Sequence, residues 1–209
     1  MFLKILRISC RIEVMVKSLL YSVVMVSCLN AAEPVALFDG KTLDGWKATA
    51  APEYWTAKDG VLIGKSDAKK TGSILWTTKD YGDFVLEGEF YYNGKIDSGF
   101  FLRNESEQIQ LGISGSLKRD MTCSPYIGKK KGYPVAAVGV DLLLKEGEWN
   151  PIKIEVKGKK YTVTLKGKQV LEYTTDAEPV DGPIGLQLHP GVEMEIHFRN
   201  LRLTPLDEK

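Results

Sequence analysis

Between residues 152 and 173 the chain alternates apolar and polar side chains with period two, and glycines interrupt the alternation. In Ile152-Lys-Ile-Glu-Val-Lys157 one set of side chains meets a core and the other meets water, because successive strand residues point to opposite faces. Turn signals at Lys157-Gly158-Lys159 and Lys166-Gly167-Lys168 then set off Tyr161–Leu165 and Gln169–Tyr173, predicting a three-stranded meander. Similar runs occur at Val35–Phe38, Val61–Ile63, Ser73–Trp76, Phe84–Tyr92, Gly99–Arg103, Gln108–Ile113, Val138–Leu143, Ile184–His189 and Val192–Phe198. No stretch after residue 32 keeps a 3.6-residue apolar period. The fold expected is all-β, an antiparallel two-sheet jelly-roll sandwich forming a single domain over residues 33–209.

One break in the alternation is informative. Val192, Met194, Ile196 and Phe198 share one parity, whereas Leu201 and Leu203 share the other. One extra residue near Arg199-Asn200, a β-bulge, would keep both sets on the same face.

The first 32 residues differ in kind. Lys4, Arg7, Arg11 and Lys17 precede the apolar run Leu19–Val26, which ends near Ala31-Ala32. That is the layout of a secretory signal peptide, with Met15 as an alternative start. The apolar run is too short to span a membrane, which takes about 20 residues. Cys28, after Met-Val-Ser, supports a competing lipid-anchor reading, against which stands Met25 where leucine is usual. An exported protein, periplasmic or extracellular, is expected. Losing those four basic residues and Glu13 turns the formal charge of +1 into −2. A near-neutral surface speaks against a nucleic-acid or membrane-surface partner. Cys123 would then stand alone, so no intrachain disulfide supports the domain, and the thiol reads as buried and inert.

The candidate site comes from strand faces turned away from the core. Phe101 and Arg103 share such a face, as do Gln108 with Gln110, and Gln187 with His189. Amides and guanidinium groups bond sugar hydroxyls directionally and rings stack on pyranoses, so this set suits a carbohydrate ligand. Each glutamine alone is an ordinary surface residue; recurrence on three strands favours a site. His189 enters the turn Pro190-Gly191, where a catalytic group can project into a cleft, although a structural histidine fits there too. Glu87 and Glu89 share a strand face and could serve as acid and base, but such pairs are common on wet surfaces. Lys118 and Asp120 lie in a polar loop that could close over a ligand or merely pair internally. Lys129-Lys-Lys131 reads as a solvated run. Asp39-Gly40 and Asp181-Gly182 could offer a carboxylate and backbone to calcium, but Asp-Gly pairs are mainly turn chemistry; no metal or other cofactor is expected.

Six segments in fixed order carry a family resemblance: Leu37-Phe-Asp-Gly-Lys-Thr-Leu-Asp-Gly-Trp46, Asp83-Phe-Val-Leu-Glu-Gly-Glu-Phe90, Ser98-Gly-Phe-Phe-Leu-Arg103, Glu148-Trp-Asn150, Gly182–His189 and Phe198-Arg-Asn-Leu-Arg202. The chain resembles the 3-keto-disaccharide hydrolase domain family, which has a concanavalin A-like lectin/glucanase fold. The resemblance implies a hydrolase acting on glycosides whose C3 hydroxyl is oxidised to a ketone, which acidifies the C2 proton and allows β-elimination. Carried over by position, Arg103, Gln110, Gln187 and His189 would line the pocket with Glu89 beside it. In that reading His189 is base or acid and Arg103 stabilises the enolate. Where many relatives carry Glu-x-Gln this chain has Gln108-Ile-Gln110, and its Lys118–Tyr133 loop replaces a short turn. The alternative is a non-catalytic carbohydrate-binding module on the same scaffold.

Overall fold

The computed structural model describes residues 32–206. The expected signal segment with Met15, and Cys28 with its lipid-anchor reading, lie outside the described residues. Among the described residues fourteen strands form two antiparallel sheets. The first holds β1 (Val35–Ala36), β3 (Trp55–Lys58), β4 (Val61–Lys65), β6 (Phe84–Tyr92), β10 (Asn150–Lys157), β11 (Lys160–Leu165), β12 (Lys168–Thr174) and β14 (Glu195–Pro205). Its strand order is β12-β11-β10-β6-β14-β4-β3, with β1 on β14. The second sheet runs β2 (Trp46–Ala48), β5 (Ser73–Thr77), β13 (Ile184–Leu188), β7 (Asp97–Leu102), β8 (Glu107–Gly112) and β9 (Pro125–Ile127).

The meander forms as its turns dictate. Lys166 and Gly167 both have positive φ, the geometry whose twist matches a two-residue hairpin. Tyr161, Val163 and Leu165 face Ile152, Ile154 and Val156 in register and are buried. The bulge in β14 is also present: Arg199 pairs Glu89 while Arg202 pairs Glu87, and Asn200 takes φ 55°. Phe198 and Leu201 therefore both reach the core.

Between the sheets the core packs Leu75, Phe100, Leu102, Ile109, Leu111, Leu186 and Leu188 against Leu62, Phe84, Phe90, Ile154, Val163, Ile196 and Phe198. Phe100 meets Phe198 edge-on at 5.5 Å. Phe101 is buried but stands outside this cluster, on the far face of the second sheet.

One expectation needs correction. The run Val138–Leu143 is not a strand: Gly139 in the left-handed region opens the helical turn α2 (Val140–Leu143), and Val138 and Leu142 are exposed. Lys129–Lys131 belongs to another short turn, α1 (Gly128–Lys131), where Lys131 pairs Asp176. The sequence pattern also passes over β2, β3 and β9, each four residues or fewer, too short for alternation to register.

Candidate functional site

The central strands β13, β7 and β8 put their non-core residues into a cavity of about 700 Å³ on the outer face of the second sheet. Cross-strand register arranges these residues in rows. One row carries Trp76, Gly185, Phe101, Gln108 and Tyr126 on five adjacent strands. The next carries Gln187 on β13 and, paired with each other, Gly99 and Gln110 on β7 and β8. Beyond it lie Asp97 and His189, whose backbones meet through the His189 N–H and the Asp97 carbonyl at 3.2 Å.

The floor of the cavity is a hydrogen-bonded layer. The Gln108 amide donates to Gln187 Oε1 at 2.6 Å, reaching over Gly99. A methyl at Gly99 would lie 2.2 Å from Gln108 Nε2, so this position needs glycine for lack of space. Gln187 lines the cavity, and with its oxygen engaged its amide has N–H donors to offer there. Gln110 donates to Asp97 Oδ1 at 2.8 Å, and the Gly115 N–H donates to Asp97 Oδ2 at 2.9 Å. Asp97, only 4% exposed, is thus a carboxylate fixed by two donors.

His189 stands above it, with Nδ1 2.7 Å from the Pro190 carbonyl and 3.9 Å from Asp97 Oδ2. A carbonyl only accepts, so Nδ1 donates to it, and in the neutral ring Nε2 is left as the acceptor nitrogen. Tyr133 closes the same end. Its phenol bonds Ser114, and burial, reinforced by the charge of Asp97, pushes its pKa up to about 12, keeping the proton in place. Tyr126 packs on Tyr133 at 5.2 Å, and Phe101 on Trp76 at 5.4 Å, forming aromatic walls.

Of the nine residues expected at the site, the structure brings together Phe101, Gln108, Gln110, Gln187 and His189. Arg103 is elsewhere. It follows the last residue of β7 with φ 68°, and this left-handed residue ends the alternation that would have aimed it outward. Its guanidinium is buried at one end of the sandwich, bonding the Gly158 carbonyl at 3.1 Å and Tyr161 Oη at 3.4 Å, with Asp83 at 3.6 Å. Glu89 lies on the other sheet, where Arg199 at 2.7 Å and Asn200 at 2.6 Å hold its carboxyl below the usual range. Asp120 caps its own turn through the Thr122 N–H and borders a separate cavity of about 250 Å³. Lys118 is exposed on the preceding loop, outside the residues lining the main cavity.

Asp97, Tyr126 and Tyr133 are additional. Asp97 had a signal, since it shares parity with Phe101 two positions beyond Gly99. The tyrosines had none, because a short strand and a loop bring them in from outside any regular pattern. Cys123 is buried, and desolvation pushes its thiol well up. Asp39 accepts the Lys41 and Thr42 N–H groups, and Gly182 lies against the Arg103 carbonyl; both Asp-Gly pairs lie in turn or bridge segments. Among the described residues no cluster of three His, Cys, Asp or Glu groups could hold a metal ion.

Comparisons with known proteins agree with the sandwich. A proposed glycosyl hydrolase from Parabacteroides distasonis ATCC 8503 is 25% identical, with a TM-score of 0.63 over 83% of this chain and 100% of that one. A Bacillus licheniformis β-glucanase superposes with a TM-score of 0.61 at 12% identity, over 86% of this chain and 100% of its own. The carbohydrate-binding module CBM66 from Bacillus subtilis gives 0.52 at 13%, covering 77% of this chain and 95% of that one. No curated protein matches the chain. The jelly-roll fold of concanavalin A type therefore stands, shared by hydrolases and binders alike. Residues 33–204 match the model of the 3-keto-alpha-glucoside-1,2-lyase-like domain, and the chain belongs to that family.

Proposed function

We propose that the protein is an exported carbohydrate-active enzyme that cleaves 3-keto-glycosides in the cavity of the second sheet. The observation that carries this reading is His189, its Nδ1 held by the Pro190 carbonyl, standing beside the buried carboxylate of Asp97 over an amide-lined floor. A ketone at C3 makes the C2 proton removable by a base of modest strength. His189 Nε2 takes that proton, and Asp97 stabilises the imidazolium through its nearby charge. The electron pair moves toward the C3 oxygen, where the Gln187 N–H groups meet the developing enolate. Collapse of the enolate forms the C1–C2 double bond and breaks the bond from C1 to the leaving oxygen. That oxygen takes a proton from the Tyr133 phenol; water then adds across the double bond, its proton passing to the Tyr133 phenolate as its oxygen bonds C1 while His189 returns its proton to C2, which completes hydrolysis and resets both groups.

The test is to incubate the protein with a 3-keto-disaccharide and with its unoxidised parent, following sugar release. Release from the ketone alone is expected. His189→Ala and Asp97→Asn should each lower turnover about a hundredfold or more at unchanged folding, the scale of a lost general base. Binding of both sugars without release from either would leave a carbohydrate-binding module, a reading that the amide at Gln108 favours.

A further inference from the structure

We propose that the crossover loop Ser66–Gly72 is a positioning platform for the His189 ring, acting through the turn Pro190-Gly191. That this ring works as a base rests on the function proposed above; that the loop fixes the ring does not.

Two chain crossings lie side by side next to Asp97. Residues 66–72 lead from β4 in the first sheet to β5 in the second, and residues 189–194 lead back from β13 to β14. The crossings are joined along their length. At one end the buried Ser66 grips the returning chain. Its N–H donates to the Met194 carbonyl at 3.0 Å, and its hydroxyl donates to the Val192 carbonyl at 3.0 Å and accepts the Met194 N–H at 2.9 Å. In the middle the Gly191 N–H donates to the Lys70 carbonyl at 2.9 Å. At the other end Gly72 lies against Pro190, where a β-carbon would sit 2.8 Å from Pro190 N and Cδ and 2.9 Å from its Cα. Gly72 also takes φ 78°, so both its backbone and the space that Pro190 fills require glycine.

The consequence for His189 lies in one bond. Its Nδ1 donates to the Pro190 carbonyl at 2.7 Å, whereas Asp97 Oδ2 at 3.9 Å is beyond hydrogen-bond reach. With 42% of its side chain exposed, the ring is held less by packing than by that bond. The carbonyl in turn is as fixed as the Pro190 backbone between Gly72 and the Lys70 contact. The returning crossing also carries Met194, whose sulfur accepts the Asp97 N–H at 3.4 Å, so both members of the pair lean on it. Ser66, Lys70 and Gly72 line no part of the cavity and act only through this turn.

The test reads the ring directly. The chain has two histidines, and His197, whose Nε2 lies 2.7 Å from Glu195 Oε1, serves as the internal control in nitrogen NMR of the histidine-labelled protein. At a pH where both rings are neutral, wild-type His189 should show a protonated Nδ1 and an unprotonated Nε2. Gly72→Ala should shift His189 toward the tautomer mixture of free imidazole and leave His197 unmoved. On a 3-keto-disaccharide it should lower kcat about tenfold with KM nearly unchanged. Pro190→Ala probes the same contact from an exposed position that keeps the fold, and should move the His189 signals in the same direction. An unprotonated Nδ1 in the wild type, His189 signals that stay put in Pro190→Ala or move together with those of His197, or a wild-type kcat despite the shift would each overturn the assignment. A wild-type protein that releases no sugar would end the catalytic reading, while the ring signals still decide the positioning.

Discussion

The smallest residue at the site has the tightest surroundings. Gly99 leaves no room for a β-carbon because Gln108 crosses it to reach Gln187, and the Ile109 carbonyl would lie 2.7 Å from that carbon. Gly99→Ala should cost about 1–3 kcal/mol, the usual penalty of overpacking. In a Gln108→Ala background the cost should fall, because the nearer obstacle is gone while the Ile109 carbonyl remains. Urea unfolding of the two single variants and the double variant gives the coupling between them. Equal costs in both backgrounds would mean that the amide bridge does not set the requirement for glycine. At this scale the sequence is instructive about failure as well. Parity placed Phe101, Gln108, Gln110 and Gln187 on one face because each sits inside a regular strand. It misplaced Arg103 because alternation stops with the strand, and one left-handed residue redirects the side chain.

Among elements, the two sheets use their charges differently. Arg103 ties the hairpin after β7 to the first sheet, joining Gly158, Tyr161 and Asp83. Beside it Glu107 accepts from Thr175 at 2.9 Å. Removing a buried cation strands its partners, so Arg103→Ala should destabilise by about 3 kcal/mol or more, read as a lower urea midpoint. Loss of turnover with an unmoved midpoint would instead return Arg103 to the site. On the first sheet, Glu89 joins β6 to the bulge of β14 through Arg199 and Asn200. The Arg199 bond leads in lowering its pKa, against burial. A lowered carboxyl contributes stability above its unfolded value, about 4.3, and loses it as pH falls through the folded value. Glu89→Gln should thus cost under about 1 kcal/mol at pH 7, because the pair is largely solvent-screened. The difference from wild type should vanish toward pH 2, and a constant difference across that window would refute the linkage. The bulge itself was legible because it reverses the parity of four apolar residues against two. The strands β2, β3 and β9 were not, since three or four residues cannot display a period.

For the whole molecule, the question is how a sandwich whose described part contains no disulfide keeps one state. The class of fold was readable because alternation repeats throughout the chain, each strand confirming its neighbours. Which loop closes the cavity was not, because the loop's conformation follows from contacts made only after the sheets have packed. Cys123 lies where those two levels meet. It follows the loop after β8, its N–H donates to the Gln110 carbonyl at 2.8 Å, and its side chain is fully buried in the shared core. A reagent reaches such a thiol only when the structure around it opens. If the loop frays by itself, opening is cheap and labelling is fast. If the loop is locked to β8 and the core, labelling must wait for global unfolding. The Gln110 and Cys123 backbone bonds, with Ser124 donating back to the Met121 carbonyl at 2.9 Å, argue for the second course. In a chain beginning at Glu33, Cys123 is the one cysteine. Its labelling rate should therefore follow the unfolded fraction and rise with urea with the same slope as global unfolding. Labelling that is rapid in buffer and insensitive to urea would show instead that the loop beside the site opens independently of the sheets.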